Sequence, residues 1–356
     1  MKDADHSAPA EEPYFPWFDW LRGVLAVIVM LAHESVLGWQ HAGNFAVQVF
    51  FALSGWLIGA LLLHIRRVDL PRFYFNRAVR IWVPYYVALA LLLAASLLRD
   101  PVTWKWLEFV FYKLTFVYNL FGTPQLATHL AEMPLRGTGN HFWSVNAEEQ
   151  FYLLAPLLLV LAAPAFGRAR ATWLALSLLA WTSQFGTSIV FGVTAAVFAF
   201  HDEALFRRPM ARALLAVFGI AAAIGLAVGG SYDMLVPVLS ISIVLLLALP
   251  GRKQSLGAVA GGMSYPLYLN HWVGVFVANA LFRRVGMADS VVAHLLSNVF
   301  NVGFAVALYM CIDRPLLRRR PRWYTPVLGK RAVIAAYSMI GVGLAFGVAV
   351  RFASSS

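Results

Sequence analysis

Eleven apolar segments, each roughly 15–22 residues long, divide this 356-residue chain. That length matches the roughly 30 Å hydrocarbon layer of a bilayer when it is wound as helix. The segments run approximately over 17–38, 45–65, 81–98, 149–165, 171–185, 186–200, 213–229, 233–250, 263–282, 291–312 and 332–352. Inside lipid every backbone amide must find an internal partner, so the pattern calls for helices rather than open sheet. The expected fold is an all-α, polytopic transmembrane bundle of about 10–11 helices. The segments 171–185 and 186–200 are the shortest, and whether each crosses fully stays open. Composition agrees. Hydrophobic residues make up 60% and charged residues only 13%, against about 45–50% and 25% in soluble domains.

Charge placement orients the bundle. With the N-terminus in the cytoplasm, 20 of the 28 Lys and Arg residues fall on inside connections and seven on outside ones, with Arg22 inside the first helix. This is the positive-inside pattern; Arg283 and Arg284 run against it. The net charge of +11 therefore points to a lipid bilayer as partner and not to nucleic acid. The first fifteen residues lack a basic stretch leading into an apolar core, so the first helix is expected to be retained as an anchor. The chain divides into a cytoplasmic tail (1–16), a membrane domain (17–320) and a linker with an additional helix (321–356). The single cysteine, Cys311, excludes a disulfide framework and a cysteine-based zinc site.

Ionisable residues in lipid-spanning segments are costly and mark functional positions. In "DWLRGVLAVIVMLAHE", Arg22 and His33 are eleven positions apart. At 100° per residue they fall within about 20° of one helix face and roughly 16 Å apart along the axis. Taken singly, Arg22 could be a snorkelling anchor and His33 a packing residue. Ser54–Gly55 in "FFALSGWLIG" suits close helix approach. In "LPRFYFNRAVRIWVPYY", Arg77 and Arg80 share a face at a helix start on the cytoplasmic side. Two guanidinium forks there suit phosphate, with simple anchoring as the other reading. "NHFWSVNAEEQFYLLAP" puts Glu148 and Glu149 at the opening of another helix, where one of them complements the helix dipole. Glu148, near the outer side with His33, makes a candidate general-base pair. His141 lies beside the glutamates. "GGMSYPLYLNHW" sets Ser264 and His271 seven apart on one face, with His271 about two turns in from the cytoplasm. No glycine-rich phosphate loop, HExxH, nucleophile elbow or EF-hand is present, and no metal is expected.

These blocks, in this order over roughly residues 15–320, resemble the membrane-bound acyltransferase family 3, which includes bacterial O-antigen and Nod-factor O-acetyltransferases. The family's Arg-x10-His motif falls on Arg22 and His33, and its Arg-x-x-Arg motif on Arg77 and Arg80. Its WSLSVEEQFY block reads "WSVNAEEQFY" here, keeping Glu148 but placing Asn146 where a serine is usual. Its SYPLYLxH block brings His271, and Asp313-Arg314-Pro315 replaces the usual Glu-Arg-Pro.

The resemblance implies transfer of an acyl group, commonly acetyl, from acyl-coenzyme A to a hydroxyl of a glycan or lipid-linked saccharide, in a bacterial plasma (inner) membrane. It implies His33, Glu148 and Arg22 as catalytic residues. Arg77, Arg80 and Arg22 would hold the donor acetyl-CoA, and Ser54, Glu149 and His271 would contact substrate. On this reading His33 is the general base and Glu148 orients it; transient acylation of His33 is the alternative. A transporter or flippase lined by charged residues is the competing function class.

Overall fold

A computed structural model describes residues 14–355 apart from 35, 163 and 283–289. The pair Arg283–Arg284 and most of the tail 1–16 lie outside the described residues. Among the described residues the chain is all helix with no strand. The helices of ten residues or more are α1 (Pro16–His33), α2 (Ala42–His64), α3 (Leu70–Leu97), α4 (Trp104–Leu114), α5 (Trp143–Pro156), α6 (Arg170–Ser183) and α7 (Thr187–His201). They continue with α8 (Pro209–Ala227), α9 (Tyr232–Leu247), α10 (Ser255–Asn270), α11 (Trp272–Phe282), α12 (Val291–Leu308), α13 (Arg314–Trp323) and α14 (Pro326–Ser355). Among the described residues, six helical stretches are long and apolar enough to cross a membrane. Three shorter apolar helices, α7, α9 and α11, sit among them. The architecture is a multi-pass helical bundle.

Helix α2 is the central post. Its face at Gly55 meets α7 at Gly192, where a Cβ on Gly55 would land on the Ile189 carbonyl oxygen and one on Gly192 on the Ala52 carbonyl oxygen. The missing side chains bring the two backbones together, the small-residue route to packing in lipid. Helix α1 approaches α10 the same way, with Gly23 against Ala260. The central stretch is thus built from α1, α2 and α10 at short range, with α3 and α5 closing its remaining sides.

Three of the boundaries that differ from the sequence expectation move a functional residue. Helix α3 starts at Leu70 rather than 81, with Pro71 in its first turn, where proline is tolerated. The low-hydropathy stretch before 81 stays helical because Phe73, Tyr74 and Phe75 are buried. Tyr74 bonds the Tyr337 hydroxyl of α14 at 3.0 Å. Arg77 and Arg80 therefore lie two turns inside the helix and not at its start. Helix α5 starts at Trp143, so Glu148 and Glu149 lie beyond its first turn and the dipole reading of one of them fails. The segment expected at 263–282 is two helices, α10 and α11, meeting at His271. Because α10 begins at Ser255, His271 sits sixteen residues from its start, far deeper than two turns.

The long connection after α3 is ordered by polar contacts. Thr103 caps α4 by accepting from the Trp106 amide at 3.1 Å, a stop-start signal legible in sequence. Further on, Leu135 and Arg136 adopt left-handed backbone (φ 47° and 50°) followed by Gly137 at φ 77°. This costs of order 1–3 kcal/mol for a non-glycine residue and persists only where surroundings fix it. The Leu135 amide donates to Asp100 at 2.7 Å. Buried Lys113 donates to the Gly139 carbonyl at 2.7 Å and stands 3.4 Å over the Tyr118 ring. Burial pulls its ammonium well below the usual lysine range. The clamp delivers His141 to the bundle interior.

Gly55→Ala is expected to destabilise the purified protein by about 1–3 kcal/mol through overpacking, read as a lower thermal midpoint in detergent. Gly303→Ala, with nothing within 4 Å of its added methyl, should leave the midpoint unchanged or raise it slightly.

Candidate active site

A cavity of about 160 Å³ lies between α1, α2, α3, α5 and α10. Arg22, Arg77 and Arg80 enter it from α1 and α3. Glu148 and Tyr152 enter from α5, and Ser54 from α2. Glu148 accepts hydrogen bonds from the hydroxyls of Ser54 and Tyr152, the latter at 2.6 Å. The Arg77 guanidinium lies over the rings of Tyr152 (5.3 Å) and Phe73 (5.6 Å). Arg22 pairs with Asp19 at 3.5 Å. The cavity wall thus carries three guanidiniums and the Glu148 carboxylate, with Asp19 compensating Arg22 from beside it; charge left without such a partner is disfavoured there.

The far wall of the cavity is Ser144 and Tyr268. Their hydroxyls are 2.5 Å apart, and Tyr268 donates to the His141 carbonyl at 2.7 Å. Past them stand three histidines. The His33 and His271 rings stack at 4.9 Å and 16°. His141 is 4.5 Å from His271 and 5.9 Å from His33. Backbone carbonyls set two tautomers: His271 Nδ1–H donates to Tyr268 O at 2.8 Å, and His141 Nε2–H donates to Leu269 O at 3.3 Å. His33 ends α1, is exposed and makes no hydrogen bond among the described residues, so both ring nitrogens are open to a substrate. Among the described residues no group of three His, Cys, Asp or Glu side chains converges to hold a metal ion.

His33 is held in place by its neighbour. Glu34 is almost fully buried and accepts from Ser297 and Asn298 at 3.0 Å each, with His294 at 3.6 Å. This ties the end of α1 to α12. A charge-assisted cluster of this kind fixes a backbone more firmly than neutral contacts do.

The structure thus separates residues that the sequence reading had joined. Glu148 belongs with the arginines, bonded to Ser54 and Tyr152, and does not pair with His33. Because α5 starts at Trp143, Glu148 lies more than a turn along it, on the arginine side of the Ser144–Tyr268 wall. Glu149 points elsewhere again, accepting from the Trp82 indole of α3 at 2.8 Å. Ser264 of α10 lines the cavity while His271, just past the end of that helix, joins the histidines. Ser144 and Tyr268 went unread. Their signal was spacing: Ser144 is one turn before Glu148, and Tyr268 one turn before His271. Asn146, where the resembling family has serine, is a buried crossbar. Its Oδ1 accepts from the Tyr118 amide at 2.9 Å, and its Nδ2 donates to Phe142 O at 3.0 Å and the Tyr85 hydroxyl at 3.2 Å.

Comparison with known proteins places this arrangement. The family described as an acyltransferase domain (acyltransferase 3) matches residues 15–312. This chain belongs to that family. The peptidoglycan O-acetyltransferase OatA of Listeria monocytogenes is 30% identical over 165 residues, covering 41% of this chain and 24% of that protein. The O-acetyltransferase OatA of Staphylococcus aureus is 26% identical over 151 residues, covering 41% of this chain and 25% of that protein. The chain thus spans about a quarter of the length of these curated relatives. No solved structure matches it. Membership in an acyltransferase family decides against the transporter reading, which had rested on helix number and intramembrane charge.

Two substitutions test this geometry. Asn146→Ala strands the Tyr118 amide and is expected to lower stability by about 1–3 kcal/mol, read from detergent unfolding. Tyr268→Phe keeps the ring and removes the hydroxyl joining Ser144 to the His141 carbonyl; it should cost about 0.5–1.5 kcal/mol of stability and lower acyl transfer more than that loss accounts for.

Proposed function

We propose that this chain is an integral-membrane O-acyltransferase that moves an acyl group, in the first instance acetyl, from acyl-coenzyme A to a hydroxyl of a cell-surface glycan or lipid-linked saccharide. One observation carries the reading: a cavity lined by three guanidiniums stands one hydroxyl-lined wall away from a histidine whose ring nitrogens, among the described residues, have no hydrogen-bond partner. A donor for such a site has an anionic portion and a long neutral arm ending in an electrophile. Acyl-coenzyme A has both. The Arg22–His33 separation, roughly 16 Å of helix, is of the same order as its pantetheine arm. Arg77, Arg80 and Arg22 hold the diphosphate through paired N–H donors. Glu148, fixed by the hydroxyls of Ser54 and Tyr152, lines the same cavity as the guanidiniums.

His33 removes the proton from the acceptor hydroxyl as its oxygen attacks the thioester carbonyl. The tetrahedral adduct collapses with cleavage of the C–S bond. The imidazolium returns its proton to the departing sulfur, giving an O-ester and free coenzyme A. His271 and His141 wall the reacting groups on one side, and His271 stacking keeps the His33 ring from turning. Holding both substrates in register supplies most of the advantage over solution.

The N-terminus is assigned to the cytoplasm and the chain to a bacterial plasma membrane, which puts the arginines on the side where the donor is made. The named relatives act in O-acetylation, one of them on peptidoglycan by its name, and that supports a glycan hydroxyl as acceptor. Residues 17–320 form the transferase unit, and 321–356 a linker and α14.

His33→Ala, reconstituted in lipid, is expected to lose about 10²–10⁴ in turnover while still binding coenzyme A; undiminished turnover would exclude the assignment. Rapid quenching with radiolabelled acetyl-CoA and no acceptor should leave the denatured protein unlabelled. Label retained on His33 would replace general-base catalysis with a covalent route.

A further inference from the structure

The arginine cavity does not end at Arg80. Arg80, Ser264 and Tyr265 also line a second, smaller cavity of about 70 Å³, whose other walls include Tyr309 and Asp313. Tyr309 and Leu317 in turn line a third, an open cleft of about 460 Å³. Three spaces therefore stand in a row with shared walls. They lead from the core between α3 and α10 to the surface between the start of α10 and the helix α13.

The outer cleft is basic. Lys253, Arg314 and Arg318 line it, and none of them forms an ion pair with an acidic side chain among the described residues. Arg314 and Arg318 are one turn apart on α13 and share its face. The cleft also takes in Ser255, the first residue of α10. That helix start has no side-chain cap, so its first amides join the lysine and the two arginines as donors. The middle space differs: the carboxylate there, Asp313, is mostly buried, which disfavours a phosphate and favours N–H and O–H groups.

From this order of chemistries we infer that the outer cleft binds the 3′-phosphorylated adenosine end of the donor, with the phosphate on Lys253, Arg314 and Arg318. The ribose hydroxyl and sugar edge lie beside Asp313, and the diphosphate reaches the Arg22–Arg77–Arg80 cavity. The site rests on the acyl-coenzyme A reading above and extends it. A two-ended hold explains how a donor with most of its contacts on the nucleotide can place its thioester a full arm's length away. It also makes the 3′-phosphate a recognition element, so an acyl thioester lacking it is a poorer donor.

The test compares acetyl-CoA with acetyl-3′-dephospho-CoA on the full chain in lipid nanodiscs. For the unaltered protein, KM should be roughly tenfold or more higher for the dephospho donor, the loss of charge-assisted contacts. In Arg318→Ala and in Lys253→Ala, KM for acetyl-CoA should rise by a similar factor, with the effect falling on KM rather than kcat. KM for the dephospho donor should stay where it was, so the two donors converge. Equal changes for both donors, or none, would overturn the assignment. The assay is repeated in nanodiscs of zwitterionic lipid alone and with anionic phosphatidylglycerol. Persistence of the donor-specific effect in zwitterionic lipid supports the nucleotide site. An effect seen only with the anionic lipid means that the basic rim holds headgroups, and overturns it. Failure of the underlying reading looks different: the unaltered protein would use neither donor.

Discussion

Three guanidinium groups gathered on one cavity, with Glu148 in its wall and Asp19 paired to Arg22, are the constraint around which this protein is arranged. In a low-dielectric interior such an excess is tolerated only if hydrogen bonds, rings and an incoming anion share it. The fold supplies the first two. Asp19 pairs with Arg22, the rings of Tyr152 and Phe73 lie under Arg77, and Glu148 is fixed by two hydroxyls. The charge left over is a standing attraction for a polyanion. The close packing of α2 on α7 and of α1 on α10 at glycine faces sets the spacing of the helices that carry Ser54 and Arg22.

The histidine group depends on a different device. His141 arrives on a loop with left-handed backbone, fixed by Asp100 and by a buried lysine. His271 sits where two helices meet, and His33 at a helix end tied down through Glu34. Three irregular positions thus converge on one place, each made rigid by contacts that regular helix does not provide. Between them and the arginines, Ser144 and Tyr268 form a wall one side chain thick.

Much of this was legible in the sequence because it is periodic. Apolar segment length gave the helical bundle, and the eleven-residue interval from Arg22 to His33 put both on one face of α1. Spacing within a helix also grouped Arg77 with Arg80. The illegible part was set by contacts between distant segments. Helix α3 extends back to Leu70 because aromatic side chains meet α14, which hydropathy does not register. Glu148 looked like a partner for His33 because both lay near the outer side in sequence; only the earlier start of α5 shows it among the arginines. The loop carrying His141 has no periodicity to read, and its geometry follows from Asp100 and Lys113, more than twenty residues away in the chain.

The central claim is that the arginine cavity and the histidine group are two ends of one donor-binding path. A cryo-EM structure of the full chain in nanodiscs with a non-hydrolysable acyl-coenzyme A analogue tests it most directly. The account predicts the diphosphate within hydrogen-bond distance of Arg22, Arg77 and Arg80, and the carbonyl mimic past Ser144 and Tyr268, beside His33. Density for the analogue with its acyl end away from His33, or with the three arginines occupied by lipid instead, would contradict it.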